Sequence, residues 1–256
     1  EEDALAATPA DASDLASGCG ASGFSWTQMR APIGIAGDWD DAWGTTHGIN
    51  AFTWTQGTDG YSIYTVDEAA QYLTALNGET TWSPGTYSRF DWAWDDEGDL
   101  YYCQSVYDAV TEEDAAAADV SDASDLSTGC GSLGFGWTKM RPSLSIGGDW
   151  DDGWGSTHSI NAFTWTQDTD EYTIYRVDET AQYLTALNGE TTWSPGTYSR
   201  FDWAWDDEGD LYYCQSVYDA ITEGDADEAD VSDASDLSTG CGSLGFAWTQ
   251  MWPTGT

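Results

Sequence analysis

Basic residues are almost missing from this chain: 6 Lys and Arg stand against 46 Asp and Glu in 256 residues, a formal charge of −40. Phosphate contacts need a basic footprint, so nucleic-acid binding is excluded, and binding to anionic lipid is disfavoured for the same reason. Long apolar runs are missing too, and no stretch of about 18 residues reads as a membrane-spanning helix. The chain does not open on a basic segment followed by an apolar one, so a signal peptide is expected to be removed or to lie upstream. No G-x-S-x-G elbow, H-E-x-x-H helix, P-loop or dinucleotide fingerprint occurs, and no enzyme activity is expected. Core-forming residues, in contrast, are plentiful: 40% of the chain is hydrophobic and 14% aromatic, with 16 Trp. An acidic disordered tail lacks such residues, so this chain folds.

It folds as repeats. Cys19, Cys130 and Cys241 recur at intervals of 111 residues in the same Gly-Cys-Gly context, and Ala70 to Ala109 returns unchanged as Ala181 to Ala220. Solenoid repeats run at about 20–50 residues, so a period this long is a whole domain. The end of the last copy just past Met251 sets the phase. Residues 1–30 then match the tail of a unit, 31–141 and 142–252 are complete units (A and B below), and 253–256 form the C-terminal end. The incomplete first unit carries the acidic segment, the Gly-Cys-Gly loop and a Phe-Ser-Trp-Thr strand without the sheet they should cover. Those residues are therefore expected to complement another chain. Like charge on neighbouring units predicts an extended array at low salt.

Each complete unit holds one cysteine in Tyr-Tyr-Cys-Gln and one in Gly-Cys-Gly. Compact extracellular domains staple themselves, which favours Cys103 with Cys130 and Cys214 with Cys241, leaving Cys19 unpaired or intermolecular. Closing such a loop contributes about 3–4 kcal/mol in the chain-entropy model. The alternative, Cys19 with Cys103 and Cys130 with Cys214, joins adjacent units and orphans Cys241. Either scheme places the protein in an oxidising compartment.

Strand signals dominate, and the expected class is all-β, a mostly antiparallel meander forming a sandwich or half-barrel with one short helix per unit. Phe90, Trp92 and Trp94 alternate with small or acidic residues, placing them on one face. Asp95 to Asp99 reads as a hairpin loop and Leu100 to Val106 as the returning strand. Further strands are expected at Ile33 to Trp39, His47 to Thr55, Tyr61 to Val66 and Gln71 to Leu76. The acidic, alanine-rich stretch from Thr111 to Ala118 reads as a helix capped by Thr111. Phe135 and Trp137 are expected to return to the sheet as a last strand or edge cover.

Two acidic clusters per unit offer hard oxygen ligands to calcium, though neither has EF-hand spacing. They are Asp38, Asp40, Asp41 and Asp95, Asp96, Asp99 in unit A, with Asp149, Asp151, Asp152 and Asp206, Asp207, Asp210 in unit B. A solvated acidic turn, or adaptation to high salt, explains the same residues without any site. His47 and His158 hold the same place in the two units and read as structural residues rather than catalysts. The tryptophans exceed what one small sheet buries, so some must lie at a surface, and Trp39, Trp43, Trp82 with Trp150, Trp154, Trp193 are the candidates. Exposed rings beside Asp and Asn suit sugar faces, and the same composition anchors protein interfaces.

The motifs Gly-Thr-Thr-His-Gly-Ile-Asn, Ser-Arg-Phe-Asp-Trp, Tyr-Tyr-Cys-Gln-Ser-Val-Tyr-Asp-Ala and Gly-Cys-Gly-Ser-Leu-Gly-Phe-Gly-Trp follow one another in fixed order. With them the unit resembles a small secreted or lipoprotein domain of myxobacteria and their relatives. The resemblance implies an extracellular, cysteine-paired β domain and lends no catalytic residue. Gly37-Asp38-Trp39 is also similar to the lipocalin opening, but a unit of this length reads as too small for the usual eight-stranded barrel. The expected role is an extracellular or cell-surface structural array, part of a fibre, filament or adhesin, with copies of itself as partner. The alternative is a carbohydrate-binding array for surface glycans, with calcium as its one candidate cofactor.

Overall fold

In a computed structural model of the chain, which describes Ala16, residues 25–230 and residues 232–255, each complete unit is a closed antiparallel barrel of eight strands. Unit A runs β1 (Gly37–Asp41), β2 (Thr46–Ile49), β3 (Thr53–Gln56), β4 (Asp59–Asp67), β5 (Tyr72–Asn77), β6 (Tyr87–Trp94), β7 (Leu100–Ala109), α1 (Glu112–Ala116) and β8 (Thr138–Pro142). Unit B repeats it as β9 (Gly148–Asp152), β10 (Thr157–Ile160), β11 (Thr164–Gln167), β12 (Asp170–Asp178), β13 (Tyr183–Asn188), β14 (Tyr198–Trp205), β15 (Leu211–Ala220), α2 (Glu223–Asp227) and β16 (Thr249–Pro253). Neighbours in sequence are neighbours in the sheet, and β8 closes on β1 through Trp39 opposite Pro142 and Asp41 opposite Met140. Closure removes both sheet edges.

The all-β antiparallel meander with one short helix per unit is as expected; the sheet closes into a full barrel where a sandwich or half-barrel was expected, and the length objection to eight strands falls with it. Strands of 4 to 10 residues suffice because β2 and β3 are only 4 residues long. The single strand expected from His47 to Thr55 is these two, separated by a turn in which the Asn50 side chain accepts the Phe52 and Thr53 amides at 2.9 and 3.0 Å. Ile33 to Ala36 is likewise a turn before β1, closed by the Ala36 amide on the Ile33 carbonyl at 2.9 Å, and Ile33 and Ile35 are buried in the barrel core.

Inside unit A, Trp54 stacks on Phe90 with ring centroids 4.5 Å apart, surrounded by Leu73, Trp92, Leu100 and Met140. Phe90 and Trp92 are core as the alternation predicts, whereas Trp94, at the strand end, is half-exposed and lies edge-on to Trp39. The outer face of β6 and β7 is covered as well. The segment after β7 begins with α1, capped by Thr111 as expected, and ends in the Cys103–Cys130 disulfide, which packs with Ala93 and Trp137 in a second small core. Unit B repeats this with Cys214–Cys241, so the pairing is the one within units. Cys19 lies outside the described residues.

That cover is fixed by a buried ion pair. Arg89, 1% exposed, donates to Asp91 at 2.9 Å and to the Ala116 and Ala118 carbonyls at the end of α1, while Asp91 also accepts the Ser121 hydroxyl at 2.8 Å. Arg200 and Asp202 do the same in unit B. Like charge does not keep the two barrels out of contact. Asp40 on the outer face of β1 is buried and accepts the Ala162 amide at 2.8 Å and the Ser143 hydroxyl at 3.0 Å. Arg141, opposite Asp40, donates to the Ile174 carbonyl at 2.9 Å and lies over the Phe163 ring.

Candidate functional site

The meander places the β1–β2 and β3–β4 turns and the β5–β6 loop at one end of each barrel, away from the plug of Ile33 and Ile35. At this end each unit opens in a cleft. In unit B the cavity is about 650 Å³, floored by Tyr172, Asn188, Gln215 and Tyr218 with Asp170 and Trp193 at the rim. In unit A it is about 160 Å³ and is made by the counterparts Tyr61, Asn77, Gln104, Tyr107, Asp59 and Trp82. Asp168 and Asp219 also line the unit B cleft, and Gly57 takes the place of Asp168 in unit A.

The floor is held by a closed set of hydrogen bonds. Asn77, the last residue of β5, donates to the Tyr107 and Ser83 carbonyls at 2.8 and 3.1 Å and accepts the Ser88 hydroxyl at 2.7 Å. Ser88 in turn accepts the Gln104 amide at 3.0 Å. Burial pushes the Tyr61, Tyr107, Tyr172 and Tyr218 phenols above their ordinary pKa, so all four are neutral near pH 7. The rim loop is braced against the β3–β4 turn by Thr80 donating to the Thr58 carbonyl and by the Gly78 amide on the Gly60 carbonyl. That approach requires glycine: a Cβ on Gly78 would stand 2.5 Å from the Gly60 oxygen, and one on Gly189 would stand 2.6 Å from the Glu171 oxygen. Trp82 and Trp193, carried by these loops, are 93% and 94% exposed.

Of the six tryptophans singled out in sequence, the structure brings Trp82 and Trp193 to the clefts and leaves Trp43 and Trp154 exposed on the β1–β2 and β9–β10 turns at the same end. Trp39 and Trp150 are corrections. Both turn inward, each indole N–H donating to an Ile35 or Ile146 carbonyl at 3.0 Å, because strand alternation that puts Asp38 and Asp40 outside puts Trp39 inside.

The same alternation breaks up the proposed calcium ligands. Asp41 and Asp152 face the barrel interior, Asp40 enters the contact between barrels, and Asp95 and Asp206 cap their own hairpin amides at Asp99 and Asp210. Among the described residues no three His, Cys, Asp or Glu side chains are placed to hold a metal ion. The acidic runs do not fit calcium.

Sequence reading did not find the polar chain in the barrel core. Trp165 donates its indole N–H to His158 Nδ1 at 3.0 Å, His158 Nε2 lies 3.2 Å from Asp152, and the Tyr213 hydroxyl also reaches Asp152. With one ring nitrogen accepting and the other donating, the imidazole is neutral and has no lone pair for catalysis. Burial lowers the His158 pKa below 6.5, against the pull of Asp152. Burial pushes the Asp152 carboxyl up, but hydrogen bonds from the Ser156 amide, His158 and the Trp154 amide outweigh it, and its pKa falls below 3.8. Both groups therefore bind protons more readily unfolded than folded, so both contribute stability at neutral pH. The His158 contribution is lost as pH falls from 6.5 through its folded value, and that of Asp152 as pH falls from 3.8 through its own. His158 ring resonances followed by NMR are expected to titrate with a midpoint below the ordinary 6.5 of an imidazole; a midpoint at or above 6.5 would contradict this network.

No family model, curated protein or solved structure matches the chain, so its resemblance to the secreted domain rests on the quoted motifs alone.

Proposed function

We propose that this protein is an extracellular, non-enzymatic surface-interaction array in which each barrel offers its mouth to a neutral polyhydroxylated polymer, a glycan. The observation that carries the reading is the recurrence of one cleft in both units, with a rigid polar floor and a nearly fully exposed tryptophan at its rim. An indole face stacks on the apolar face of a sugar ring, and Gln, Tyr and Asp groups held in place by the buried Asn orient hydroxyls. Carboxylates at the rim and the charge of −40 disfavour anionic ligands. Two disulfides support an extracellular setting, and no helix among the described residues is long and apolar enough to cross a membrane. Two clefts on one chain give avidity for a repeating ligand.

The test is an array of immobilised neutral and acidic glycans probed with the intact chain and with the Trp82→Ala, Trp193→Ala double variant. Binding to neutral polymers that the double variant loses supports the reading, and a blank array, or binding unchanged in the variant, counts against it.

A second reading, a fibre, filament or adhesin subunit, is favoured by the Asp40 and Arg141 contacts between barrels. The two partners of that joint are different surfaces, and a heterologous joint repeated between chains builds an open filament wherever its rotation does not close a ring.

A further inference from the structure

At 5 residues, β8 is half as long as the 10-residue β7 against which it closes the barrel. It pairs with Leu100, Tyr101 and Tyr102, so Cys103 to Ala109 have a sheet neighbour on the β6 side alone. Unit B repeats this: β16 meets Leu211, Tyr212 and Tyr213, and the rest of β15 has β14 alone. A strand with one neighbour offers its main-chain N–H and C=O groups to a further strand.

Beside this stretch in unit A lies a second cavity, of about 600 Å³. Ser105 and Val106 form its β7 wall, and the covering segment forms the other from residues 118–122 and the loop around Gly129. Gly131, at φ +63°, brings that loop against the strand: a Cβ there would stand 3.3 Å from the Ser105 carbonyl oxygen. The groove shares no lining residue with the cleft at the mouth, to which β7 contributes Gln104 and Tyr107 instead. Its charge is of one sign. Asp119, Asp122 and Asp125 line it without a Lys or Arg. Hydrogen bonds from Ser124 hold Asp122, and bonds from Ser127 and Thr128 hold Asp125, below the ordinary carboxylate pKa, so both are ionised at neutral pH.

We propose that this groove takes an extended, basic segment of another protein, which adds as a strand beside Cys103 to Ala109 and sets Lys or Arg side chains against Asp119, Asp122 and Asp125. Main-chain pairing supplies the affinity, and the carboxylates select the partner. A second copy of this chain does not fit, because a charge of −40 with 6 basic residues brings like charge to an acidic groove. The groove is a surface apart from the barrel mouth, and the proposal does not depend on the glycan reading.

The test is fluorescence polarisation of the intact chain with a labelled peptide of alternating Lys and Val, beside one of alternating Glu and Val. Salt near physiological strength confines exposed charges to a range of about 8 Å. The basic peptide is expected to bind saturably and the acidic one not at all. Asp119→Lys with Asp230→Lys, its counterpart in unit B, is expected to weaken the basic peptide about tenfold or more. Asp96→Lys with Asp207→Lys changes the total charge equally at the other end of β7 and β15 and is expected to leave binding near the wild-type value. All four side chains are exposed, so both variants keep the fold. Hydrogen exchange is expected to slow in Cys103 to Ala109 when the peptide is bound. Absence of saturable binding, or unchanged exchange in that stretch, overturns the proposal. Equal weakening by the two variants overturns it as well, marking a general attraction of basic peptides to an acidic surface.

Discussion

Trp193→Ala is expected to lower affinity for a polymeric glycan about a hundredfold while leaving the melting temperature where it was. The indole is 94% exposed and belongs to neither core cluster, so its removal costs the fold within about 0.5 kcal/mol, as surface substitutions do. Its loss from a binding surface is of another size: an anchoring Trp contributes about 2 kcal/mol or more, or some thirtyfold. Disabling one of two linked sites further removes avidity worth about 10²–10⁴ at most. Trp82→Ala is expected to act in the same direction with a smaller effect, because its cleft is about 160 Å³ against about 650 Å³. Surface plasmon resonance on an immobilised polysaccharide measures all three chains. A Trp193→Ala chain that binds as wild type does would remove the rim tryptophan from the site.

Asp91→Ala is expected to destabilise unit A by about 3–5 kcal/mol, because it leaves the Arg89 guanidinium buried without its counter-charge. Arg89 and Asp91 are each 1% exposed, and Asp91 is also the acceptor for Ser121 in the segment that covers β6 and β7. Unit B has its own pair in Arg200 and Asp202. Urea unfolding of the variant, followed by tryptophan fluorescence, should therefore split into two transitions, unit A melting first. Replacing both partners, Arg89→Met with Asp91→Ala, should recover part of the loss, since it removes the uncompensated charge. A single unshifted transition for Asp91→Ala would show that the pair does not hold the cover down.

What was legible in the sequence was local. The β6–β7 hairpin follows from alternating aromatics around Asp95 to Asp99, with Gly98 at φ +87° in the turn, and the disulfides follow from the 111-residue phase. Barrel closure was not legible, because β8 reaches β1 only after the long segment that follows β7, and no short-range pattern records the pairing of Asp41 with Met140. Burial on both faces of β6 was hidden for a related reason: the cover that buries Arg89 and Asp91 comes from residues 112–137. The candidate site was legible by half. Exposed Trp82 and Trp193 followed from the surplus of tryptophan, but Asn77, Gln104 and Tyr107 were not found, since they meet only where β5 and β7 end at the barrel mouth. Trp39 and the first calcium cluster of each unit failed on face: a run such as Asp38-Trp39-Asp40-Asp41 looks like one acidic turn until the strand sends alternate side chains to opposite sides, whereas Asp95 is taken up by its own hairpin amides.

The most direct measurement of the central claim is a titration of the intact chain with soluble neutral polysaccharides, read by the fluorescence of its tryptophans beside the Trp82→Ala, Trp193→Ala chain. Trp82 and Trp193, the most exposed indoles, should report occupancy as a saturable change that the double variant lacks. A panel of neutral polymers that produces no saturable change, or a change the double variant keeps in full, would contradict the assignment of the barrel mouths as glycan sites.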